Sequence, residues 1–380
     1  MARIKMMQDE TGHEGKIYQG PRTKEKVARA IPEVGGSIET SGSGNIRKRR
    51  QKMRNIKNVE KEILQYIIGQ DEQVRQALTA IYTAMYMPSL KSNMLIIGKT
   101  GVGKTEMIKQ IAKRLKIPYT IEDATKYTKE GYYGADVDDM VYNLLRNADF
   151  DAKRAQRGII IIDEIDKKVG EDMHDVSGVE VLNSLLKIIE GTTMIMPAFR
   201  DPFDDEEIQF DTSHLIIIFM GAFSGLEKIR EKRLNINQLG FSTGSTAKEN
   251  SAKSKFLKSD LIKYGMPDEF VGRINTIIEM NPLTVEDLTT IVEKSKLSIF
   301  RRYQNDLRGK GIELQYNEIL FNEIAKEAMD LDLGSARELT NVVNRMFSDI
   351  MYQIFATERK YTKCELSSDI IKDSSKYKLS

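Results

Sequence analysis

The sequence predicts an α/β protein, a doubly wound parallel sheet followed by a small, mostly helical C-terminal domain. Three observations carry that prediction. Gly98-Lys99-Thr100-Gly101-Val102-Gly103-Lys104-Thr105 fits G-x-x-x-x-G-K-[ST], between an apolar run, Met94–Ile97, and a stretch with Met107, Ile108, Ile111 and Leu115 at helical spacing. Ile159–Ile162 are four consecutive isoleucines, as in a strand buried on both faces, and they run directly into Asp163 and Glu164. After Asn281-Pro282 the apolar pattern becomes predominantly helical.

Strand, glycine loop and helix form the arrangement that phosphate binding needs. Gly98, Gly101 and Gly103 let the backbone curl so that its N–H groups and the helix start face an anion. Lys104 is placed to reach the outer phosphates and the Thr105 hydroxyl to ligate Mg²⁺. The expected ligand is therefore a nucleoside triphosphate, with Lys99, Thr100 and Val102 completing the loop around it.

The isoleucine strand ends at the carboxyl edge of the sheet, where open α/β folds bind ligands. There Asp163 is expected to hold Mg²⁺ through its water shell, and Glu164 to polarise the water that attacks the γ-phosphate. Asp166 reads as a helix-start residue or a charge partner rather than a third catalytic acid. Further strands are predicted at Pro118–Ile121, Leu215–Phe219 and Thr276–Met280, which with intervening helices complete the sheet. Upstream, Ile67 and Ile68 either line an adenine pocket or are plain core. Adjacent Tyr132 and Tyr133, flanked by Gly131 and Gly134, are either binding groups or ordinary loop anchors. Asn235–Lys258 is polar and reads as a long loop carrying one apolar cluster, Leu239-Gly240-Phe241, as a docking knob.

Domain boundaries follow composition. Residues 1–57 hold 14 Lys/Arg against 6 Asp/Glu, little periodicity and a Gly/Ser linker, so a basic, flexible N-terminal segment is expected. Its cluster from Arg47 to Arg54 either touches nucleic acid, an acidic partner or substrate, or is a solvated lead-in to the first helix. Residues 58–282 form the expected nucleotide-binding domain and 283–380 the small domain. In the latter, Thr284 caps a helix with Asp287, helical patterns cover Val285–Leu307, Glu318–Met329 and Ala336–Phe355, and short strands fall at Ile312–Gln315 and near Tyr361–Leu366. A lone arginine at the third helix start, Arg337, is either a surface residue or a sensor facing the triphosphate.

Composition narrows the class. The 380 residues are 30% charged with net charge +2, and mean hydropathy is −0.41. No apolar run approaches the ~18 residues of a membrane span. One cysteine excludes an internal disulfide, three scattered histidines argue against a zinc site, and the N-terminus lacks a secretory stretch. The expected location is cytoplasmic, with no membrane partner and nucleic acid disfavoured.

Taken together, the motifs resemble the AAA+ protein-unfolding ATPases of the ClpX type, with HslU more distant. The likeness covers roughly residues 60–365, and includes Tyr66–Gln70, Asp123–Thr125, Gly131–Gly134, Ala155–Lys167, Asp175–Gly178, Ile189–Thr192, Gly221–Leu226, Asp268–Arg273 and Gly334–Arg337. The resemblance implies an AAA+ P-loop NTPase core, ATP and Mg²⁺ as cofactors, and a homo-hexameric ring with ATP sites between subunits. Arg273 is then the arginine finger of a neighbour's site, Arg337 the second sensor, and Ile67 and Ile68 part of the adenine pocket. Tyr132, with Tyr133 beside it, takes the position of the pore aromatic that grips a substrate chain, and Val176 falls in the second pore loop. Leu239-Gly240-Phe241 takes the place of the tripeptide that docks a ClpP-type peptidase. Residues 1–57 contain no cysteine, so the family's zinc-binding N-terminal domain is not expected here. The implied function is ATP-dependent unfolding of tagged or unfolded proteins for a peptidase. Two alternatives stand beside it, a stand-alone remodelling chaperone and a nucleic-acid-stimulated ATPase.

Overall fold

The order of elements begins with α1 (Ile56–Ile63) and α2 (Asp71–Tyr86), ahead of the first strand, β1 (Met94–Ile97), and α3 (Lys104–Leu115). Then come β2 (Tyr119–Asp123), α4 (Asp138–Asn147), α5 (Ala152–Ala155), β3 (Ile159–Asp163) and α6 (Val176–Glu190). A hairpin of β4 (Thr193–Pro197) and β5 (Glu207–Asp211) leads to β6 (Ile216–Gly221), α7 (Leu226–Gln238), α8 (Lys258–Tyr264), α9 (Asp268–Gly272) and β7 (Thr276–Glu279). This computed structural model describes residues 54–90, 92–127, 137–169, 176–197, 207–238, 255–331 and 334–380, all within the unit Met53–Ser380.

Five strands pair in parallel in the order β2-β3-β6-β1-β7. Period-two alternation sends successive side chains to opposite faces. Leu95, Ile97, Ile160, Ile162, Ile217 and Phe219 face the layer built from α4, α6, α8 and α9. Met94, Ile96, Ile159, Ile161, Ile216 and Ile218 face α1, α2 and α3. With both faces covered, the isoleucine run is buried throughout, which explains why it lacks any polar alternation. Parallel register sets Asp123 beside Asp163 at the carboxyl edge.

The C-terminal part continues with α10 (Val285–Glu293), α11 (Ile299–Gly309), β8 (Glu313–Gln315), α12 (Ile319–Asp330), α13 (Ala336–Ala356), β9 (Lys363–Leu366) and β10 (Tyr377–Leu379). Its own core gathers around Phe300, whose ring meets Tyr316, Phe321 and Phe347 edge-on with centroids 5.0–5.7 Å apart. The predicted capping box is present: Asp287 N donates to Thr284 Oγ1 (3.1 Å) and Thr284 N to Asp287 Oδ2 (2.9 Å).

Three expectations need correction, and two elements were not anticipated. The helical pattern from Val285 to Leu307 is two helices, because residues between them bond elsewhere. Lys296 N donates to Gln65 O (3.0 Å), Ser295 Oγ to Tyr66 O (3.1 Å), and Ser298 caps α11. The loop expected from Asn235 begins later, since α7 runs on to Gln238. The β4–β5 hairpin was not anticipated; its buried face is only Met196 and Phe210, too thin a pattern to recognise. Nor was β10, which makes a three-stranded sheet with β9 and β8. Arg54, the last residue of the cluster read either as a partner contact or as a solvated lead-in, stays exposed but is tied to its own fold: it donates to Arg114 O (2.9 Å) and to Glu62 (2.6 Å). Among the described residues no helix is long and apolar enough to cross a membrane.

Candidate functional site

The glycine loop leaves β1 where space is least. A Cβ on Gly98 would lie 2.7 Å from Met280 Cβ at the exit of β7. Gly101 has φ +81°, and a Cβ there would meet Ser335 Cβ at 2.5 Å. Only glycine combines that conformation with that contact. Ala336 N also donates to Gly101 O (3.1 Å), so the start of α13 seats against the loop. The side chains of Lys99 and Thr100 are exposed, whereas Val102 is buried under the loop.

Lys104 opens α3 and is 9% exposed. Its Nζ donates to Gly98 O (2.5 Å) and Lys99 O (3.1 Å), both carbonyls of its own loop. Burial pushes its pKa below the ordinary lysine value, Arg337 adds to that push, and Asp163, Asp166 and Glu164 oppose it. A nearly buried ammonium held only by neutral carbonyls is suited to take an anion.

Opposite it, Thr105 Oγ1 donates to Asp163 Oδ2 (2.9 Å), joining the first turn of α3 to the end of β3. Asp163 Oδ1 accepts from Glu164 N (3.0 Å). Glu164 has φ 58° and ψ 32°, a left-handed conformation costing roughly 1–2 kcal/mol for a residue with a Cβ. That turn leaves its carboxyl group exposed at the sheet edge, and retained strain of this kind marks functional sites. A hydroxyl facing a carboxylate is a pair of hard oxygen donors, the set that fits Mg²⁺. Asp166 sits inside the 3₁₀ turn Ile165–Lys168 and is buried; it accepts from Phe223 N (2.9 Å). Its hydrogen-bond partner is a backbone N–H at the exit of β6, and its charge also acts on Lys104.

Beside the loop a cleft lies between Tyr66, Ile67, Ile68 and Val102 on one side and Leu283, Ile291 and Leu339 on the other. The apolar lining suits a flat heterocycle. Ile67 and Ile68 therefore line the cleft, and Ile67 is also core. Asn281, at the predicted boundary, exchanges bonds with Gln70: its N–H donates to Gln70 Oε1 (3.0 Å), and Gln70 Nε2 donates to Asn281 O (2.8 Å).

Not every candidate converges here. Arg337 is exposed at the start of α13, close enough to depress Lys104. Arg273 follows α9, is half exposed, and forms an ion pair with Glu190 at the end of α6 rather than with a loop residue. Tyr132, Tyr133, Leu239, Gly240 and Phe241 lie outside the described residues, as does the side chain of Val176, the first residue of α6.

The AAA domain (Cdc48 subfamily) family matches residues 89–277. The ATP-dependent Clp protease ATP-binding subunit ClpX of Treponema denticola is 36% identical over 312 residues, 76% of this chain and 74% of that protein. The protein of the same name from Borrelia duttonii is 37% identical over 320 residues, 78% of this chain and 74% of its own. The ClpX subunit of Bacteroides thetaiotaomicron is 33% identical over 329 residues, 81% and 79% respectively.

The chain belongs to the ClpX family.

As a ClpX-family member with an AAA domain it is an ATPase, and the fold is the AAA+ P-loop core with a helical C-terminal part. Sequence reading missed Ser335 and Met280, which close the phosphate loop, as well as the cleft wall of Leu283, Ile291 and Leu339 and the Arg273 partner Glu190. The wall residues sit at helical spacing that marked them as apolar. Which way that apolar stripe faced was not in the spacing.

Proposed function

We propose that this chain is the motor of a homo-hexameric ring that unfolds protein substrates with ATP and passes them to a ClpP-type peptidase. Membership of the ClpX family supports the class of machine. The observation carrying the site assignment is the Thr105–Asp163 contact, which sets a metal-binding pair beside Lys104 and the exposed Glu164. In this reading residues 58–282 are the large domain and 283–380 the small one.

Bound ATP–Mg²⁺ supplies a γ-phosphoryl group whose transfer to water releases the energy. The backbone N–H groups of Gly98–Thr105 and Lys104 Nζ bind its phosphates, and Thr105 and Asp163 hold the metal. Ile67, Ile68 and Leu339 enclose the base. Glu164 takes the proton of the attacking water, which its exposed, left-handed position leaves it free to reach. Arg337, on the helix that abuts Gly101, reports nucleotide state to the small domain. Arg273 leaves its Glu190 partner to neutralise charge in a neighbour's site; such fingers contribute roughly 10³–10⁵ in rate in GTPases. Tyr132 and Tyr133, with Val176, grip the substrate, and Leu239-Gly240-Phe241 docks the peptidase.

Glu164→Gln tests the assignment. The variant is expected to bind ATP normally while hydrolysing it at least about a hundredfold more slowly, as loss of a general base implies. Turnover at the parental rate would remove Glu164 from its role.

A further inference from the structure

Arg273 is tied to the end of the sheet opposite the phosphate loop, and most of the ties come from one residue, Asn93. Asn93 immediately precedes β1 and is 3% exposed. Its Nδ2 donates to Arg273 O (3.3 Å) and its N–H to Asn275 Oδ1 (3.0 Å). Its carbonyl accepts from Asn275 N (2.9 Å) and Thr276 N (3.2 Å). These bonds close on residues 273–276, where the chain passes from α9 into β7, and Ile274 pins the same turn from within the core.

The guanidinium is steered separately. Glu190, its ion-pair partner, is the last residue of α6, where the closing carbonyls of a helix also favour a cation. Both partners are about half exposed, so the pair orients the side chain without adding much stability.

Placement decides what such a hold is good for. β1 and β7 run parallel, with Met94 beside Thr276, so Asn93 and the Arg273 turn share the amino edge of the sheet. The phosphate loop leaves the carboxyl edge. Five residues of strand at ~3.3 Å each put roughly 16 Å between Asn93 and Gly98. A buried amide spent on the backbone of a half-exposed arginine, so far from that arginine's own phosphate loop, suits delivery of the guanidinium to another subunit. Such delivery tolerates little error, since misplacement by ~1 Å can cost about a hundredfold in rate.

We propose, resting on the reading of Arg273 as a residue that acts between subunits, that Asn93 is a positioning residue that sets where Arg273 meets a neighbour's nucleotide, with Asn275 completing its hold.

Subunit mixing on the full chain tests it. Asn93→Ala is expected to bind a fluorescent ATP analogue as the parent does, while kcat falls by about a hundredfold. Mixed with Glu164→Gln it recovers ATPase activity, because its own site is intact and borrows a well-placed Arg273. Mixed with Arg273→Ala it does not, because neither subunit then offers one. Asn275→Ala, which takes the acceptor away from Asn93 N, behaves likewise and serves where Asn93→Ala does not fold. A merely structural role weakens analogue binding together with kcat, or leaves the variant inactive beside Glu164→Gln, and either result overturns the role of Asn93. So does recovery beside Arg273→Ala. A mixture of Glu164→Gln with Arg273→Ala that stays inactive strikes instead at Arg273 itself, and removes the role of Asn93 with it.

Discussion

Lys104 shows how one side chain can cost the fold stability and still suit the proposed ligand. Its ammonium is nearly buried among carbonyls, and burial holds its pKa below the ordinary 10.5. The unfolded chain therefore keeps this proton to higher pH than the folded one. The penalty is fully present below the depressed value and fades as pH rises towards 10.5. Without nucleotide, Lys104→Met is expected to melt above the parent at neutral pH, and that advantage should shrink as pH rises. In the presence of ATP the order reverses, because only the parent is stabilised by binding, by ~2.7 kcal/mol at a hundred times Kd. Thermal melting across pH with and without ATP checks both halves. Gly101→Ala combines a left-handed φ with a 2.5 Å approach to Ser335, so it is expected to weaken nucleotide binding and to lower Tm together. Titration of a fluorescent ATP analogue alongside melting reads this out.

At the scale of elements, the α10–α11 break matters most. Propensity and apolar spacing favour one helix from Val285 onward, yet Ser295 and Lys296 spend their polar groups on Tyr66 and Gln65 across the cleft. Two bonds to the α1–α2 connection outweigh continuity of a helix, beside the cleft that Ile291 and Leu283 line. Ser295 is 1% exposed, so Ser295→Ala leaves the Tyr66 carbonyl without that donor at a cost of about 1–3 kcal/mol. A lower Tm and weaker ATP affinity are expected together, with kcat changed little. An unaltered affinity would separate this contact from the cleft. The Phe300 cluster illustrates the opposite case, an element arrangement settled by packing of rings that the helical spacing already placed on one face.

Assembly is the question for the whole molecule. Arg273 is about 50% exposed and paired with Glu190, away from its own phosphate loop. If each site draws Arg273 from a neighbour, neither Glu164→Gln nor Arg273→Ala subunits hydrolyse ATP alone. Mixed together they should recover activity, because an Arg273→Ala site keeps its own Glu164 and borrows Arg273 from a Glu164→Gln partner. ATPase assays of the mixture decide it, and absence of recovery would confine the site to one chain. Peptidase partnership is tested separately, by co-purification with a ClpP-type peptidase that Phe241→Ala is expected to abolish while leaving ATPase activity unchanged.

Much of this protein was legible in local sequence because local physics demanded it. A buried parallel strand needs consecutive apolar residues, a phosphate loop needs glycines at set positions, and an acidic pair at a strand end needs no distant partner to be recognised. The placement of Lys104, Thr105, Asp163 and Glu164 at the loop and the strand end was readable for that reason. Contacts distant in sequence were not. The Ser335–Gly101 approach, the Gln70–Asn281 exchange, the Arg273–Glu190 pair and the bond from Lys168 Nζ to Tyr127 O join segments whose separate patterns carry no sign of one another. Those pairings depend on sheet order and register, which put Asp123 beside Asp163 and β6 between β3 and β1. Hydrophobic periodicity sets which face of an element is buried; only the packed fold decides what that face, and its polar edge, will meet.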